Sequence, residues 1–439
     1  MKSSLQSSPF LATLALVQLI SFFAPGCSSS SNPSPHPDAA APDTPIGAGG
    51  ITGAGGTAEI DAWVGNDAGM GAGGASGKGG ATSAGGSAGD GAISSPVSSV
   101  VGVTCDTVPR AAFATIATAK ALYMVGGIPV DAPTPLSSTA MIGRSPSGGL
   151  ELATCASTSA ATVPIAEYAM GVATVANSVY LIGGNTTGTT TTQSAVYRAD
   201  TGDGSLSSFR AATLSGDGGV TPIVLQTSSY GQQVVQTQDY IYVIGGWSSV
   251  GQTGVARIER AQVDPVTGDF VTNFAPAIDP STGGPATMAV PRFDTIAVQL
   301  GSWVYILGGQ SDIGSAAQCH NEIQRASLDA NGNLSSFSQV GTLPNPLCGP
   351  ATYVTNNTLY VLGGLTAINN PGNPIATDAV LEAAIAADGT LSAFASSSAK
   401  LSYPVGSAGS ATLGKTVYLF NGFKGSTGAT TSIQAITFP

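Results

Sequence analysis

Six segments of the chain are apolar at almost every position and end in a pair of glycines. In each segment a tyrosine precedes two hydrophobic residues and Gly-Gly, with Asn421 replacing the first glycine of the last pair. The tyrosines are Tyr123, Tyr180, Tyr242, Tyr305, Tyr360 and Tyr418. Their spacings of 57, 62, 63, 55 and 58 residues indicate six copies of one structural unit. Strands without polar positions must be covered on both faces, as in a radial array of stacked sheets.

Each copy contains three further runs that read as strands. A run of small and apolar residues precedes the tyrosine motif, and a third run follows a polar loop of variable length. An Asp-Gly or Asn-Gly turn, which favours the positive φ angles of a tight hairpin, then leads to a fourth run. These turns and runs are Asp203-Gly204 with 206–209, Asn331-Gly332 with 334–337, and Asp388-Gly389 with 391–394. The pattern predicts an all-β propeller with six four-stranded blades.

The tyrosine, the hydrophobic pair and the double glycine resemble the kelch repeat, and the resemblance covers about residues 97–439. It implies a six-bladed kelch-type β-propeller. Asn421 departs from the motif, and the tryptophan that kelch repeats often carry in the fourth strand is replaced by phenylalanine. The phenylalanines are Phe209, Phe270, Phe337 and Phe394. Because aromatic bulk is kept at that strand, we expect the same fold in a divergent bacterial branch.

The two ends of the repeat region complement each other. After Tyr418 the chain has one more apolar run and reaches Pro439 without a fourth. From Val97 to Gly127 the chain covers 31 residues, as it does from Leu334 to Gly364. We therefore predict that residues 97–104 supply the fourth strand of the sixth blade, which would leave no open sheet edge.

The N-terminal region differs from the repeats. Residues 1–26 combine Lys2 with an apolar stretch at 10–24 that is too short to span a bilayer, which predicts a signal peptide. The small residues before Cys27 resemble the lipobox of bacterial lipoproteins, in which this cysteine is acylated; the alternative is ordinary secretion with an unpaired Cys27. Ser28 resembles a signal for outer-membrane sorting. We expect an exported protein at the outer membrane or the cell surface, with a periplasm-facing position as the alternative.

Composition constrains the linker and the partners. Residues 28–96 are rich in Gly, Ala and Ser and have hardly any large apolar side chain, which predicts a disordered linker. The net charge of −11 argues against binding to nucleic acid or directly to anionic lipid, so a lipid anchor is the expected membrane contact. Only 9% of residues are charged, so hydroxyl and amide groups must cover the surface. Such a surface suits a carbohydrate or protein partner.

Four cysteines remain in the repeat region: Cys105, Cys155, Cys319 and Cys348. An even number in an exported domain favours disulfides. Three pairings are possible, and the positions along the blades favour Cys105–Cys155 and Cys319–Cys348. The alternative is that these residues are free buried thiols.

Residues for catalysis or metal binding are few. The chain has two histidines, His36 in the linker and His320 in a loop. Galactose oxidase resembles this fold and holds copper with two histidines, which one propeller histidine cannot supply. Residues 329–333 begin like a calcium loop, but Val340 stands where the bidentate glutamate is needed, so a hairpin turn explains them better. We predict no cofactor and no metal.

The remaining candidates belong to the mouth of the propeller. Counting sixteen residues back from the first glycine of each motif gives Arg110, Glu167, Ser229, Arg292, Leu347 and Val405. With Tyr168, Tyr230, Trp247 and Asp294, the charged members form a candidate ligand site. A six-bladed kelch protein that interconverts sialic acid anomers uses charged residues there, so a sugar or an anionic ligand is conceivable. The alternatives are that each arginine caps its own blade and each aromatic residue packs between blades.

Three functions are open on the sequence. The first is a cell-surface binding module for a carbohydrate or protein ligand. The second is a carbohydrate-modifying enzyme, an epimerase or lyase, acting at the mouth. The third is a structural surface lipoprotein without a discrete ligand. The long loops at 185–193 and 365–378 have no acid–base pair and favour recognition over catalysis.

Overall fold

The structure is a computed structural model that describes residues 95–106, 109–129, 134–146, 148–158, 161–186, 192–250, 253–311, 318–355, 357–368, 374–425 and 430–439. The predicted signal peptide, Cys27 and residues 28–94 of the predicted linker lie outside this part of the chain. The described residues form six four-stranded antiparallel sheets, one for each tyrosine motif, arranged as the blades of a propeller. The predicted six-bladed all-β architecture is therefore confirmed.

The strands follow one order in every blade. The first strands are Ala114–Ala117, Gly171–Val175, Gln233–Gln236, Ile296–Leu300, Ala351–Val354 and Gly409–Leu413. The second strands are Ala121–Val125, Ser178–Ile182, Tyr240–Ile244, Trp303–Leu307, Thr358–Leu362 and Thr416–Phe420. The third strands are Thr139–Arg144, Val196–Asp200, Ile258–Gln262, Glu322–Ser327, Ala379–Ala384 and Ser432–Thr437. The fourth strands are Leu150–Thr158, Arg210–Ala211, Ala275–Pro276, Ser338–Thr342, Ala395–Lys400 and Val97–Val103. First strands of neighbouring blades contact each other, which places them around the central axis.

Short ribbons extend three of the blades at the end where the first strand begins. They pair Arg110–Ala111 with Ile128–Pro129, Trp247–Ser248 with Thr253–Gly254, and Leu365–Ala367 with Ile375–Ala376. Within the described residues, no helix is long and apolar enough to cross a membrane.

The outer strand of the sixth blade comes from the other end of the domain. Val97–Val103 pairs antiparallel with Ser432–Thr437, from Val97 opposite Thr437 to Val103 opposite Ser432. Beyond this strand, the Thr104 hydroxyl donates to Asn421 Oδ1 at 3.0 Å, and Asn421 Nδ2 donates to Asp106 Oδ2 at 3.0 Å. Asn421, at the first-glycine position, adopts a φ of 54°. Asn421 thus stands where the other blades have glycine, and its side-chain amide forms hydrogen bonds that join the two ends of the propeller domain.

The hairpin turns differ from the prediction. Gly204, Gly332 and Gly389 have positive φ, whereas the Asp or Asn before each of them does not. In the turn at 329–333, the carboxylate of Asp329 accepts hydrogen bonds from the backbone N–H groups of Asn331 and Asn333. This Asp-capped turn is wider than a two-residue hairpin. As a result, Leu334 makes only an isolated bridge with Leu328, and the fourth strand begins after the predicted run, at Ser338.

The repeated tyrosines join neighbouring blades through these turns. The hydroxyl of Tyr242 donates to the carbonyl of Gly332 in the next blade at 2.7 Å, and that of Tyr305 donates to the carbonyl of Gly389 at 3.1 Å. Tyr180 makes the same bond to Gly268, and Tyr123 accepts one from the N–H of Leu206. In these four blades the motif tyrosine is buried and forms a hydrogen bond to the next blade.

The two predicted cysteine pairs are confirmed. Cys105 and Cys155 are bonded with Cα atoms 5.4 Å apart, and Cys319 and Cys348 with Cα atoms 5.3 Å apart. The first pair connects the residue after the closing strand to the outer strand of the first blade. It therefore fastens the same junction that the N-terminal strand closes.

Candidate ligand-binding face

One residue of each blade, two positions before the first strand, has a left-handed backbone. These ring residues are Ala112, Ala169, Gly231, Asp294, Gly349 and Ser407, with φ between 48° and 64°. Five backbone hydrogen bonds of 2.7–2.9 Å link them in order, each N–H donating to the carbonyl of the preceding blade's ring residue. Because the first strands surround the axis, the ring lies at one mouth of the central channel. We call this end of the propeller the ring face.

The double glycines support the ring face. In the first five blades the N–H of the second glycine donates to a carbonyl of the next blade. Examples are the bonds from Gly127 to Glu167 and from Gly184 to Ser229. A Cβ on Gly126 would come within 2.6 Å of the Glu167 carbonyl oxygen, and one on Gly245 within 2.3 Å of the Arg292 carbonyl oxygen. The first glycine therefore has no side chain because a neighbouring backbone occupies that space.

Arg110 and Arg292 are both buried and point into their own blades. Nη1 of Arg110 donates to the carbonyl of Gly126 at 3.0 Å, and its Nη2 pairs with Asp106. Nη1 of Arg292 donates to the carbonyl of Gly308 at 3.1 Å, and its Nη2 pairs with Glu322 at 2.9 Å. This geometry matches the capping alternative of the sequence analysis. A ligand could reach either guanidinium only by breaking these bonds.

Glu167 occupies the same position in the second blade, with the opposite charge. Its side chain is 0% exposed, and neither carboxylate oxygen has a hydrogen-bond partner among the described residues. A methyl group on Gly184 would come within 3.2 Å of its Oε2, which places the carboxylate beside the double glycine. Burial raises the pKa of Glu167 to about 8. Such a group is held as the neutral acid at neutral pH.

Three adjoining blades present an aromatic arc just before their ring residues. Its members are Tyr168, Tyr230 and Phe293, and Trp247 packs beside Tyr230. The Tyr230 ring centroid lies 5.9 Å from that of Tyr168, 5.6 Å from that of Trp247 and 5.8 Å from that of Phe293. Tyr168, Trp247 and Phe293 are buried, whereas Tyr230 at the centre is partly exposed. Tyr230 is therefore the member of the arc that a ligand can touch.

Asp294 lies next to this exposed tyrosine. A methyl group on Gly231, the residue after Tyr230, would come within 2.9 Å of Asp294 Oδ1. The carboxylate thus rests over the backbone of the preceding blade, where only glycine leaves room. Asp294 is surrounded by protein yet keeps some exposure, and burial raises its pKa to about 7. It is the only charged ring residue, since the other five are Gly, Ala or Ser.

The structure therefore divides the predicted site. Tyr168, Tyr230, Trp247 and Asp294 come together at the ring face, whereas Arg110, Glu167 and Arg292 are buried within separate blades. The sequence analysis missed Phe293 in the arc and Asn185, whose Nδ2 donates to the Tyr168 hydroxyl at 2.8 Å. It also missed the other five ring residues. Each of these stands eleven positions before a motif tyrosine, a register that an alignment of the six copies would have shown.

His320 belongs to neither group. Its Nε2 lies 2.7 Å from the Ser311 hydroxyl, and its Nδ1 lies 3.4 Å from Glu322. Burial lowers its pKa. Within the described part of the chain, no three His, Cys, Asp or Glu side chains are grouped so that they could hold a metal ion.

Comparison of the chain with protein-family models and with curated proteins finds no match. The fold is therefore known from the structure, and the resemblance to kelch repeats rests on the tyrosine and double-glycine motif.

Replacing Arg292 by Lys is expected to lower the free energy of unfolding by roughly 1.5–3 kcal/mol, because an ammonium cannot bond both Gly308 and Glu322 as the planar guanidinium does. Arg210→Lys is the control, since the Arg210 side chain is exposed and pairs with Asp200 at the surface. Urea unfolding of both variants measures the difference. Equal stability of Arg292→Lys and wild type would contradict the capping role.

Proposed function

We propose that this chain is an exported, lipid-anchored binding module whose ring face binds a carbohydrate or protein ligand at the cell surface. The observation that carries the proposal is the partly exposed pair Tyr230 and Asp294, backed by buried aromatic side chains. Tyrosine offers a rigid apolar face and a hydroxyl at small entropic cost on binding. The propeller fold supplies a stiff support for such a surface.

The geometry favours binding over catalysis. Proton transfer on a sugar needs an acid and a base that reach one substrate. Asp294 and Glu167, the two carboxyls with raised pKa values, sit in the fourth and second blades, and in each case burial alone causes the shift. Glu167 is also closed off from the ring face. These two carboxyls therefore do not form the acid–base pair that the epimerase or lyase alternative would need.

The proposal is tested with the full-length chain on glycan and protein arrays, compared with its Tyr230→Leu variant. We expect wild-type binding to a defined set of glycans or proteins and loss of that binding in the variant. Binding that Tyr230→Leu leaves intact would place the site elsewhere. Absence of binding on both arrays would favour the structural alternative.

Two observations support export of the protein. Disulfide bonds persist in oxidising compartments, and the described cysteines form two of them. The apolar stretch before Cys27 supports a signal peptide, and the small residues next to Cys27 support acylation of this cysteine.

Replacing Cys27 by Ser is expected to move the protein from the detergent phase to the aqueous phase and to prevent cleavage by the lipoprotein signal peptidase. Metabolic labelling with a fatty-acid analogue measures acylation directly. Cys105→Ser with Cys155→Ser is the control, because it removes two cysteines and should keep the label. Label retained in Cys27→Ser would exclude this residue as the site.

A further inference from the structure

We propose that the Tyr230–Asp294 site of the ring face binds an alkylammonium group. The proposal rests on the proposed function and specifies the chemistry of its ligand. It differs from the anionic ligand that the sequence analysis considered for this mouth of the propeller. The ammonium would lie against the partly exposed Tyr230 ring with its charge next to the Asp294 carboxylate.

The first argument is the balance of charge. Both arginines near the ring face are bonded to carbonyl and carboxylate oxygens of their own blades. In the described residues Asp294 has no ion-pair partner, and no hydrogen bond to its carboxylate lowers its pKa. A partly buried carboxylate without a partner gains more from an incoming cation than from a neutral or anionic group.

The second argument is the aromatic arc. A cation gains energy over the face of a tyrosine ring, and the gain increases where water is excluded. Tyr168, Trp247 and Phe293 surround Tyr230 and keep water from its far side. Trp247 is itself buried, with 4% exposure, and packs directly against Tyr230.

The third argument separates an organic cation from a metal ion. Calcium and magnesium need several oxygen ligands, and the ring offers one carboxylate, while five of its backbone bonds occupy the neighbouring N–H and carbonyl groups. Ala112, Ala169, Gly231, Gly349 and Ser407 carry no side chain larger than a hydroxymethyl group. Small ring residues beside one carboxylate leave room for a compact organic ammonium group.

The test measures binding of choline to the full-length chain by calorimetry, with 3,3-dimethyl-1-butanol as the uncharged isostere. We expect choline to bind at least about tenfold more tightly than the alcohol, and Asp294→Asn to weaken choline binding by about tenfold or more. Tyr230→Leu should weaken it roughly three- to tenfold, and Tyr230→Phe should retain it. Glu151→Gln, which removes an exposed charge on the outer strand of the first blade, is the control and should bind like wild type.

Asparagine tolerates the left-handed backbone at position 294, so Asp294→Asn should remain folded. A thermal melt of each variant verifies this, and affinities are given per folded molecule. Equal affinity for choline and the alcohol, or unchanged choline binding in Asp294→Asn, would overturn the proposal. Choline binding that depends on Glu151 as much as on Asp294 would also overturn it, since net charge would then be the cause.

The ammonium could belong to a lysine side chain or to an amino sugar. Binding of Nα-acetyl-lysine amide, which keeps the side-chain ammonium, and of glucosamine distinguishes these two sources. Tighter binding of the lysine compound indicates a protein ligand, and tighter binding of glucosamine indicates an amino sugar. If the arrays show ligands that bind through Tyr230 but no ammonium binds, the proposed function stands and this inference fails. If choline binds and the arrays show no ligand, the site is supported and the proposed class of macromolecular ligand fails.

Discussion

Deleting residues 97–104 is expected to unfold the propeller at temperatures where the wild type is stable. The deletion removes the strand Val97–Val103, which pairs with Ser432–Thr437, and the Thr104 hydroxyl that donates to Asn421. At about 0.5–1.5 kcal/mol for each net hydrogen bond, loss of this ladder costs several kcal/mol. Typical domains are stable by only about 5–15 kcal/mol, so this loss approaches the whole stability.

The same deletion leaves the strand Ser432–Thr437 as an exposed sheet edge, which promotes aggregation. The control removes eight residues of the linker, 81–88, and should melt like wild type. Thermal melts by circular dichroism, with light scattering for aggregates, measure both effects. If the two deletions have the same melting temperature, the N-terminal strand does not close the propeller.

The blades could be predicted from the sequence because the motif tyrosine has an equivalent partner in several copies. Tyr180, Tyr242 and Tyr305 each bond a turn glycine of the next blade, so the residue type and its register recur together. The turns themselves were predicted less well. The prediction used the dipeptide Asn331-Gly332 alone. The turn is capped by the side chain of Asp329, which lies outside that dipeptide.

The sequence indicated most residues of the candidate site, but it did not indicate what each of them does. Arg110 and Glu167 stand at equivalent positions, yet the arginine bonds carbonyl oxygens and the glutamate bonds nothing in the described residues. A carbonyl oxygen is an acceptor, so this position satisfies a guanidinium and leaves a carboxylate without a donor. Exposure of Tyr230 beside the buried Tyr168 depends on how neighbouring blades meet, which periodicity does not determine.

Glu167→Gln is expected to stabilise the protein at alkaline pH and to flatten its pH dependence. Burial raises the pKa of Glu167 from 4.5 to about 8, so the folded state binds more protons than the unfolded state between these values. Stability from this group is therefore greatest in acid and falls as pH rises, by roughly 3 kcal/mol between pH 5 and pH 8. Glutamine has no charge to bury and should remove this loss.

The measurement is urea unfolding of wild type and variant from pH 5 to pH 8. The difference between the two curves isolates Glu167 from Asp294, whose raised pKa of about 7 gives the wild type a further loss of the same sign. Glu259→Gln is the matched control: Glu259 is equally buried, but its carboxylate accepts the N–H groups of Gln226 and Thr227 at 2.8 Å. That variant should lose stability, because it weakens two charge-assisted bonds, and it shows the effect of replacing a buried carboxyl that has hydrogen-bond partners. Parallel curves for wild type and Glu167→Gln would show that this carboxyl has a hydrogen-bond partner or water in solution. The interpretation of Glu167 as a buried neutral acid would then be wrong.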